Sequence, residues 1–420
     1  MHGWLLLVGV VLAPAQTFWD VDLYRWWAWQ GLNIGVWQGI DTAWVYPIGA
    51  FVPMLLSAVG GTGYGHGYAL AWSLWVTVFD ALGVVALLHA PRLVGNRQRS
   101  TTGAWWWIGF TFLLGPVAMG RLDAVVAPMV IAALVLAIPR PRLAAALLTL
   151  GAWVKVAPGA LLLAVVPLVR RPWRDVVVPA LLVCAAITAF VWAVGGLEHL
   201  GSFLTEQHRR GLQVEAVGAT PWVLAALFTP RVTIGLNEQI TTWEIYGPGT
   251  QWAADALGAA FVVGLGLVGA FLWWCSRRAG DRLWADRVLR AQLLTRGALL
   301  VATTLIVFNK VGSPQYLGWV APPVAVALAL RLPGWRGTSA LVAGLALATQ
   351  VIFPIGYTQL VTGGPGMALV LAARNVGLVV LAVTCVVALL RISRAPEPPA
   401  PQPAPGAADR PDREPAGTPA

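Results

Sequence analysis

Charged residues are scarce in this chain, so the places where they gather carry information. Three polar segments combine carboxylates with cations. The first, within residues 16–65, opens Phe18-Trp19-Asp20-Val21-Asp22-Leu23-Tyr24-Arg25 and runs through Asp41 to Trp44-Val45-Tyr46-Pro47. The second, 195–251, holds Glu206-Gln207-His208-Arg209-Arg210-Gly211-Leu212-Gln213-Val214-Glu215. The third is Asn309-Lys310-Val311-Gly312-Ser313-Pro314-Gln315-Tyr316. Arg121-Leu122-Asp123 and Lys155 stand at two further breaks in apolar runs. An Asp or Glu within hydrogen-bond reach of a hydroxyl can take its proton. Arginine and lysine stabilise negative charge as it develops on a departing group. Together they can move a group from an anionic carrier to a hydroxyl acceptor. No Gly-rich phosphate-cradling loop is present, and no ligand cluster stands out for a metal, so no cofactor is expected.

The elements that hold these residues must be membrane helices. The chain has 420 residues, of which 58% are hydrophobic and 11% charged, where a soluble domain carries about 25% charged residues. Cys184, Cys275 and Cys385 all sit in apolar runs, which excludes a secreted disulfide scaffold. The net charge of +10 is explained by basic clusters at the ends of apolar runs. They are Arg92/Arg97/Arg99, Arg140/Arg142, Arg170/Arg171/Arg174, Arg277 to Arg290, Arg331/Arg336 and Arg391/Arg394. Such clusters mark cytoplasmic loops, and nucleic acid is not needed to account for them.

With all six clusters inside, each neighbouring pair is separated by an even number of crossings. Spans are expected at 176–194 and 252–275, with breaks at Gly115-Pro116, 309–314 and 357–366. Segment 143–169 is read as two short helices meeting at Lys155 and Pro158. Residues 2–15 rise only about 21 Å, against a hydrocarbon core of about 30 Å. Ala13-Pro14-Ala15 resembles a signal-peptidase site but lacks a basic n-region, so either a start codon placed too late or a thin first span is expected instead. The sum is an all-α polytopic protein of about 12 transmembrane helices over residues 1–394. Residues 395–420, with nine prolines among 26 residues, form a disordered cytoplasmic tail.

On this topology the polar segments face outside, where Asp41 and Glu244 should be reachable. Segments 23–37 and 46–59 are too short to span and are expected to lie in the interface, as their tryptophans suggest. Some of these rings, Trp44 and Tyr46 first, could stack on a sugar face. Cations on the outer face run against the topological bias, and an anionic ligand is one reason for them; contact with anionic lipid headgroups is the other. A sugar carried on a polyprenyl phosphate fits, with the lipid between helices and the phosphate at the surface.

The chain resembles the GT-C superfamily of polyprenol-phosphate-sugar-dependent glycosyltransferases, and within it glycosyltransferase family 87. The resemblance rests on Asp20-Val21-Asp22-Leu23-Tyr24 with Gly35 and Tyr46-Pro47, on Gly120-Arg121-Leu122-Asp123 leading to Lys155-Val156-Ala157-Pro158, on Arg210 to Glu215, and on Asn309-Lys310-Val311 with Ser313 to Tyr316. It departs from the family at Ile48, where a second proline is usual. The resemblance implies an inverting transfer with an acidic base in the first outside loop, matching Asp20, with Asp22 as runner-up. Two residues apart on a helix, they point about 200° apart, so only one can face a given hydroxyl; the other would cap the helix. Arg209 or Arg210 would hold the donor phosphate, followed by Lys310, His208 and Lys155. Trp44, Tyr46, Glu215 and Gln315 would meet sugar or acceptor, with Glu215 orienting Arg210. Asp123 beside Arg121 reads as a local ion pair, and Asp80 and Arg374, inside spans, have no evident partners. The implied partners are a polyprenyl-phosphate sugar, mannose before arabinofuranose, a glycolipid or lipoglycan acceptor, and membrane lipids. The competing readings are a 12-span transporter and a lipid-carrier flippase. A transporter favours two-fold repeats and midplane sites, whereas these polar groups gather at one face.

Overall fold

Glycine, proline and isolated polar residues cut the apolar runs of this sequence, and the helices end where they fall. The computed structural model describes residues 1–12, 17–93, 100–208, 210–238 and 240–394. Ala13-Pro14-Ala15, Arg97, Arg99, Arg209 and the tail 395–420 lie outside the described residues. In chain order the main elements are α1 (Trp19–Trp29), α2 (Gly67–Leu93), α3 (Thr102–Leu114), α4 (Asp123–Leu136), α5 (Pro141–Val154) and α6 (Val178–Ala193). They continue with the hairpin β1 (Thr233–Asn237) and β2 (Thr242–Tyr246), then α7 (Thr250–Ala279), α8 (Arg287–Val307), α9 (Leu317–Ala329), α10 (Arg336–Gln350) and α11 (Pro365–Arg394).

The protein is a helical, multi-pass membrane protein, but the expected count of twelve spans is corrected. Among the described residues, six helices are long and apolar enough to cross: Gly67–Pro91, Trp173–Ala193, Thr250–Ala279, Arg287–Val307, Arg336–Ile355 and Pro365–Arg394. The remaining apolar runs are chopped shorter. Gly115, at φ +76°, ends α3 in a conformation that disfavours a side chain. Lys155 is extended (φ −153°, ψ 126°) and ends α5, and Ala157–Ala160 restarts the helix with Pro158 in its first turn. The two short helices expected around Lys155 are thus present. α4 and α5 are 14 residues each, or about 21 Å long, and they pack as an antiparallel pair. The first-loop helices are also present, as α1 with its continuation to Ile34 and as the apolar helix Ile48–Gly60.

α8 is the hub. Every residue from Ala291 to Ile306 is buried, and α7, α9 and α11 pack around it. Its start is fixed by Asp286, whose carboxylate accepts from the amides of Val288 and Leu289, satisfying two of the four free donors of a first turn. α9 joins this hub to the α3–α4 side. Contact there is backbone-close: a Cβ on Gly103 of α3 would collide with the Ala325 carbonyl and lie 2.7 Å from the Ala329 Cβ. Small residues allow such approach between membrane helices.

The arginine clusters knit together away from the breaks at Arg121–Asp123 and Lys155. Arg170 and Arg290 lie over the Trp284 ring at 5.1 and 5.3 Å, and Arg296 lies over Trp335 at 4.5 Å. Arg142 pairs with Asp175 at 3.0 Å, and Arg282 donates to the Ile392 carbonyl. Asp123 and Lys155, at the far ends of α4 and α5 from the 137–140 turn, meet at the other end.

Gly103→Val should lower thermal stability in detergent by about 1–3 kcal/mol, because the contact with α9 cannot widen without cost. Gly109→Ala, on the same helix with open space around it, should be neutral or slightly stabilising; a melting series of both variants checks this.

Candidate functional site

Four charges from three separate sequence motifs meet in two crossed pairs. Asp20 Oδ2 lies 3.0 Å from Arg121 Nε, and Asp123 Oδ2 lies 3.0 Å from Lys155 Nζ. The expected Arg121–Asp123 pair is therefore corrected: each residue reaches past its neighbour to a distant partner. Arg121 also donates to the carbonyls of Thr17 and Gly120, both at 2.9 Å. Asp123 Oδ1 accepts from Trp319 Nε1 at 2.6 Å. The Lys155 ammonium sits between two rings, 5.4 Å from the centre of Tyr46 and 5.7 Å from that of Tyr316, and Tyr316 stacks on Trp319 at 4.1 Å. Burial pulls the Lys155 pKa down, but the Asp123 carboxylate, then Tyr46 and Tyr316, outweigh it and hold the ammonium above its ordinary value. Burial raises the Tyr46 and Tyr24 hydroxyls, keeping both neutral.

α1 explains which carboxylate faces the cluster. Val21, Tyr24 and Ala28 are its buried stripe, at spacings that share a helix face. Asp20 lies one turn before Tyr24 and turns inward to Arg121. Asp22 lies across the helix, 66% exposed, and pairs with Arg25 at 3.0 Å. Neither caps the helix: the Phe18 cap position has no side-chain bond. Of the four paired groups Asp20 is the most accessible, at 24% against 8% for Arg121, 14% for Lys155 and 4% for Asp123.

Trp44 corrects another expectation. Its ring is buried, stacked on Phe51 at 4.5 Å and edge-on to Trp27 and Tyr46, so no face is left for a sugar. Its backbone instead seats the second polar segment: the Trp44 amide donates to Ser202 Oγ at 2.9 Å, and that hydroxyl donates back to the Trp44 carbonyl. Ser202 begins the helix Ser202–His208; the side chain of His208 is not among those described.

Of the expected phosphate cations, Lys155 belongs to the crossed pairs, Arg209 and the His208 side chain lie outside those described, and Arg210 and Lys310 stand in a neighbouring cluster. Residues 212–214 run beside β2, with Val214 N donating to the Trp243 carbonyl and Ile245 N to that of Leu212. Glu244 accepts from the Gly211 amide, Asn237 Nδ2 and the Tyr246 hydroxyl. It is 4% exposed, which corrects the expectation that it is reachable. Gln213 N donates to the Lys310 carbonyl at 3.0 Å. Burial lowers the Lys310 pKa against the fields of Asp255 and Glu244, with Arg210 adding to the lowering. Glu215 does not orient Arg210. It is buried, its Oε2 lies 3.6 Å from Arg374 Nη2, and burial pushes its carboxyl up to about 7 against the pull of that guanidinium. The loop 309–316 connects this cluster to the crossed pairs, with Lys310 at one end and Gln315-Tyr316 at the other.

Gln315 lines a small cavity with Asp80, Thr111, Trp107 and Asp123. Asp80 has partners after all, His2 Nε2 at 2.8 Å and Trp107 Nε1 at 3.1 Å. Sequence reasoning missed Trp319, although it stands three residues after Tyr316 on the same helix face. It also missed Arg121 as the partner of Asp20. No group of three or more His, Cys, Asp and Glu stands together among the described residues.

Asp123→Ala should destabilise the protein by about 3–5 kcal/mol, because it strands the buried Lys155 charge. Asp123→Leu/Lys155→Met should recover much of that stability without recovering activity. Thermal melts and a transfer assay on the same preparations read both.

No curated protein and no solved structure gives a match. Residues 44–294, more than half of the chain, match the family description Glycosyltransferase family 87. They take in Tyr46, Arg121, Asp123, Lys155, Arg210 and Glu215, with Asp20 and Lys310 outside the matched stretch. The chain is a membrane glycosyltransferase of family 87, of the GT-C superfamily.

Proposed function

We propose that the protein transfers a hexose, mannose in the first instance, from a polyprenyl-phosphate donor to a glycolipid or lipoglycan acceptor on the extracytoplasmic side of the membrane. This side is supported by the gathering of arginines at the opposite end, the end that the positive-inside rule assigns to the cytoplasm. α4 and α5 are about 21 Å long against a core of about 30 Å, so the pairs sit recessed, within reach of a lipid-borne phosphate.

The reaction is an inverting displacement. The acceptor hydroxyl oxygen attacks the anomeric carbon, the bond from that carbon to the phosphate oxygen breaks, and its electron pair leaves with the polyprenyl phosphate. Asp20 takes the hydroxyl proton. Arg121, anchored on two backbone carbonyls, fixes the Asp20 carboxylate in one orientation. Lys310 and Arg210 meet the donor phosphate from the side of the second cluster, and Lys155 adds positive potential beside the reacting centre. Lys155 is held between Asp123 and two rings, so its charge is in place before the leaving group develops its own. The observation that carries this reading is the convergence of Asp20, Arg121, Asp123 and Lys155, from three separate motifs, on one partly open cluster.

Asp20→Asn should reduce transfer from radiolabelled polyprenyl-phosphate mannose by about 100-fold or more while donor binding persists. Asp22→Asn, turned away to Arg25, should stay near wild type. Wild-type turnover by Asp20→Asn would remove it as the base. Running the same assay with polyprenyl-phosphate arabinofuranose tests the sugar.

A further inference from the structure

Arg374 stands ten residues into α11, a helix with no other charged residue before Arg391 and Arg394 in its last turn. A buried charge there is costly unless paired, and for stability alone an apolar side chain would serve as well or better. Its contacts all converge on one short stretch of the second polar segment. Arg374 Nη2 donates to the Glu215 carbonyl at 2.9 Å and lies 3.6 Å from the Glu215 carboxylate. The next residue, Asn375, donates to the Ala216 carbonyl at 3.4 Å and to Thr220 Oγ1 at 2.8 Å. The opposite side of the same peptide is closed by Gly312, where a Cβ would collide with Ala216 N and the Glu215 carbonyl carbon. The stretch just before it is bonded to β2 and, through Gln213 N, to the Lys310 carbonyl. Residues 211–216 are thus gripped between α11, the hairpin and the 309–312 loop, and the two ends of that grip carry Arg210 and Lys310.

We propose that Arg374 is a positioning residue for the transfer reaction: by clamping the Glu215–Ala216 peptide it sets the 211–216 segment against the 309–312 loop and so fixes the spacing of Arg210 and Lys310 that receives the donor phosphate. The proposal rests on the reading that the phosphate lies at those two cations. Arg374 lies beyond the stretch that matches family 87, so this chain's last helix supplies the clamp from outside the matched region. The Glu215 carboxylate, 3.6 Å from Arg374 Nη2, is the countercharge of that guanidinium, while the Glu215 backbone carbonyl is its hydrogen-bond acceptor.

The test separates donor KM, kcat and melting temperature in a purified transfer assay with polyprenyl-phosphate mannose. Removing one charge of a buried pair strands the other, so the informative variant removes both. Arg374→Met/Glu215→Leu should melt near wild type yet raise donor KM by about tenfold or more, because small displacements of binding groups are expensive; Arg374→Lys should fall between. A double variant with wild-type donor KM and kcat makes Arg374 purely structural and overturns the proposal. Arg210→Ala and Lys310→Ala serve as references. If both leave donor KM unchanged, the phosphate lies elsewhere and the proposal falls with that assignment. If they raise it and the double variant does not, the clamp alone is wrong.

Discussion

A charge placed among membrane helices must find its opposite, and this requirement organises one end of the protein. Asp20–Arg121 and Asp123–Lys155 are both at 3.0 Å. Each pair ties a first or second motif to a distant one, so together they fix the relative positions of α1, α4 and α5. Arg121 and Asp123 lie two residues apart yet face different partners. That crossing is what sets the first-loop helix over the tip of the α4–α5 pair. The aromatic rings complete the cage: Tyr46 and Tyr316 flank the Lys155 ammonium, and Trp319 holds the other oxygen of Asp123. Buried pairs of this kind contribute little net stability, but removing one partner is costly because it strands the other charge.

The same rule extends to the second cluster. Glu215 and Arg374 are a third buried pair, and Glu244 gathers three donors around the Gly211 amide. The chain contains only two lysines, Lys155 and Lys310; one belongs to each cluster, and the 309–316 loop runs between the clusters. Arginine does the remaining cationic work, much of it at the opposite end, where guanidinium groups lie over Trp284 and Trp335. Such stacking suits a planar, weakly hydrated cation. The molecule therefore has one end that is held by arginine and aromatic contacts and another that holds carboxylates and lysine in a partly open cage.

Much of this was legible in the chain. The membrane class, the breaks at Gly115, Lys155 and 309–314, and the spans near 176–194 and 252–275 follow from composition and local breaks, while the family entered through the resemblance of four motifs. Helix number did not. Parity of the basic clusters counts crossings on the assumption that every apolar run spans, but six helices of the described residues are long enough, and others, such as α4 and α5 at 14 residues each, are cut shorter. Choosing between Asp20 and Asp22 as the inward carboxylate needed the buried face of α1, which the aromatic-rich first loop does not reveal.

The sequence by itself determined that few charges would be available and which segments would hold most of them, because charge in an apolar solvent is costly away from breaks and ends. It also carried the family. Only the tertiary structure decided how those charges pair, since partners such as Lys155 and Asp123, or Arg374 and Glu215, are separated by tens to hundreds of residues and approach only when helices pack. Local spacing suggested Arg121 with Asp123 and Arg210 with Glu215. Helix packing overruled both, because a buried carboxylate takes the cation that the surrounding helices bring to it, and sequence neighbours on successive turns of the chain need not face each other.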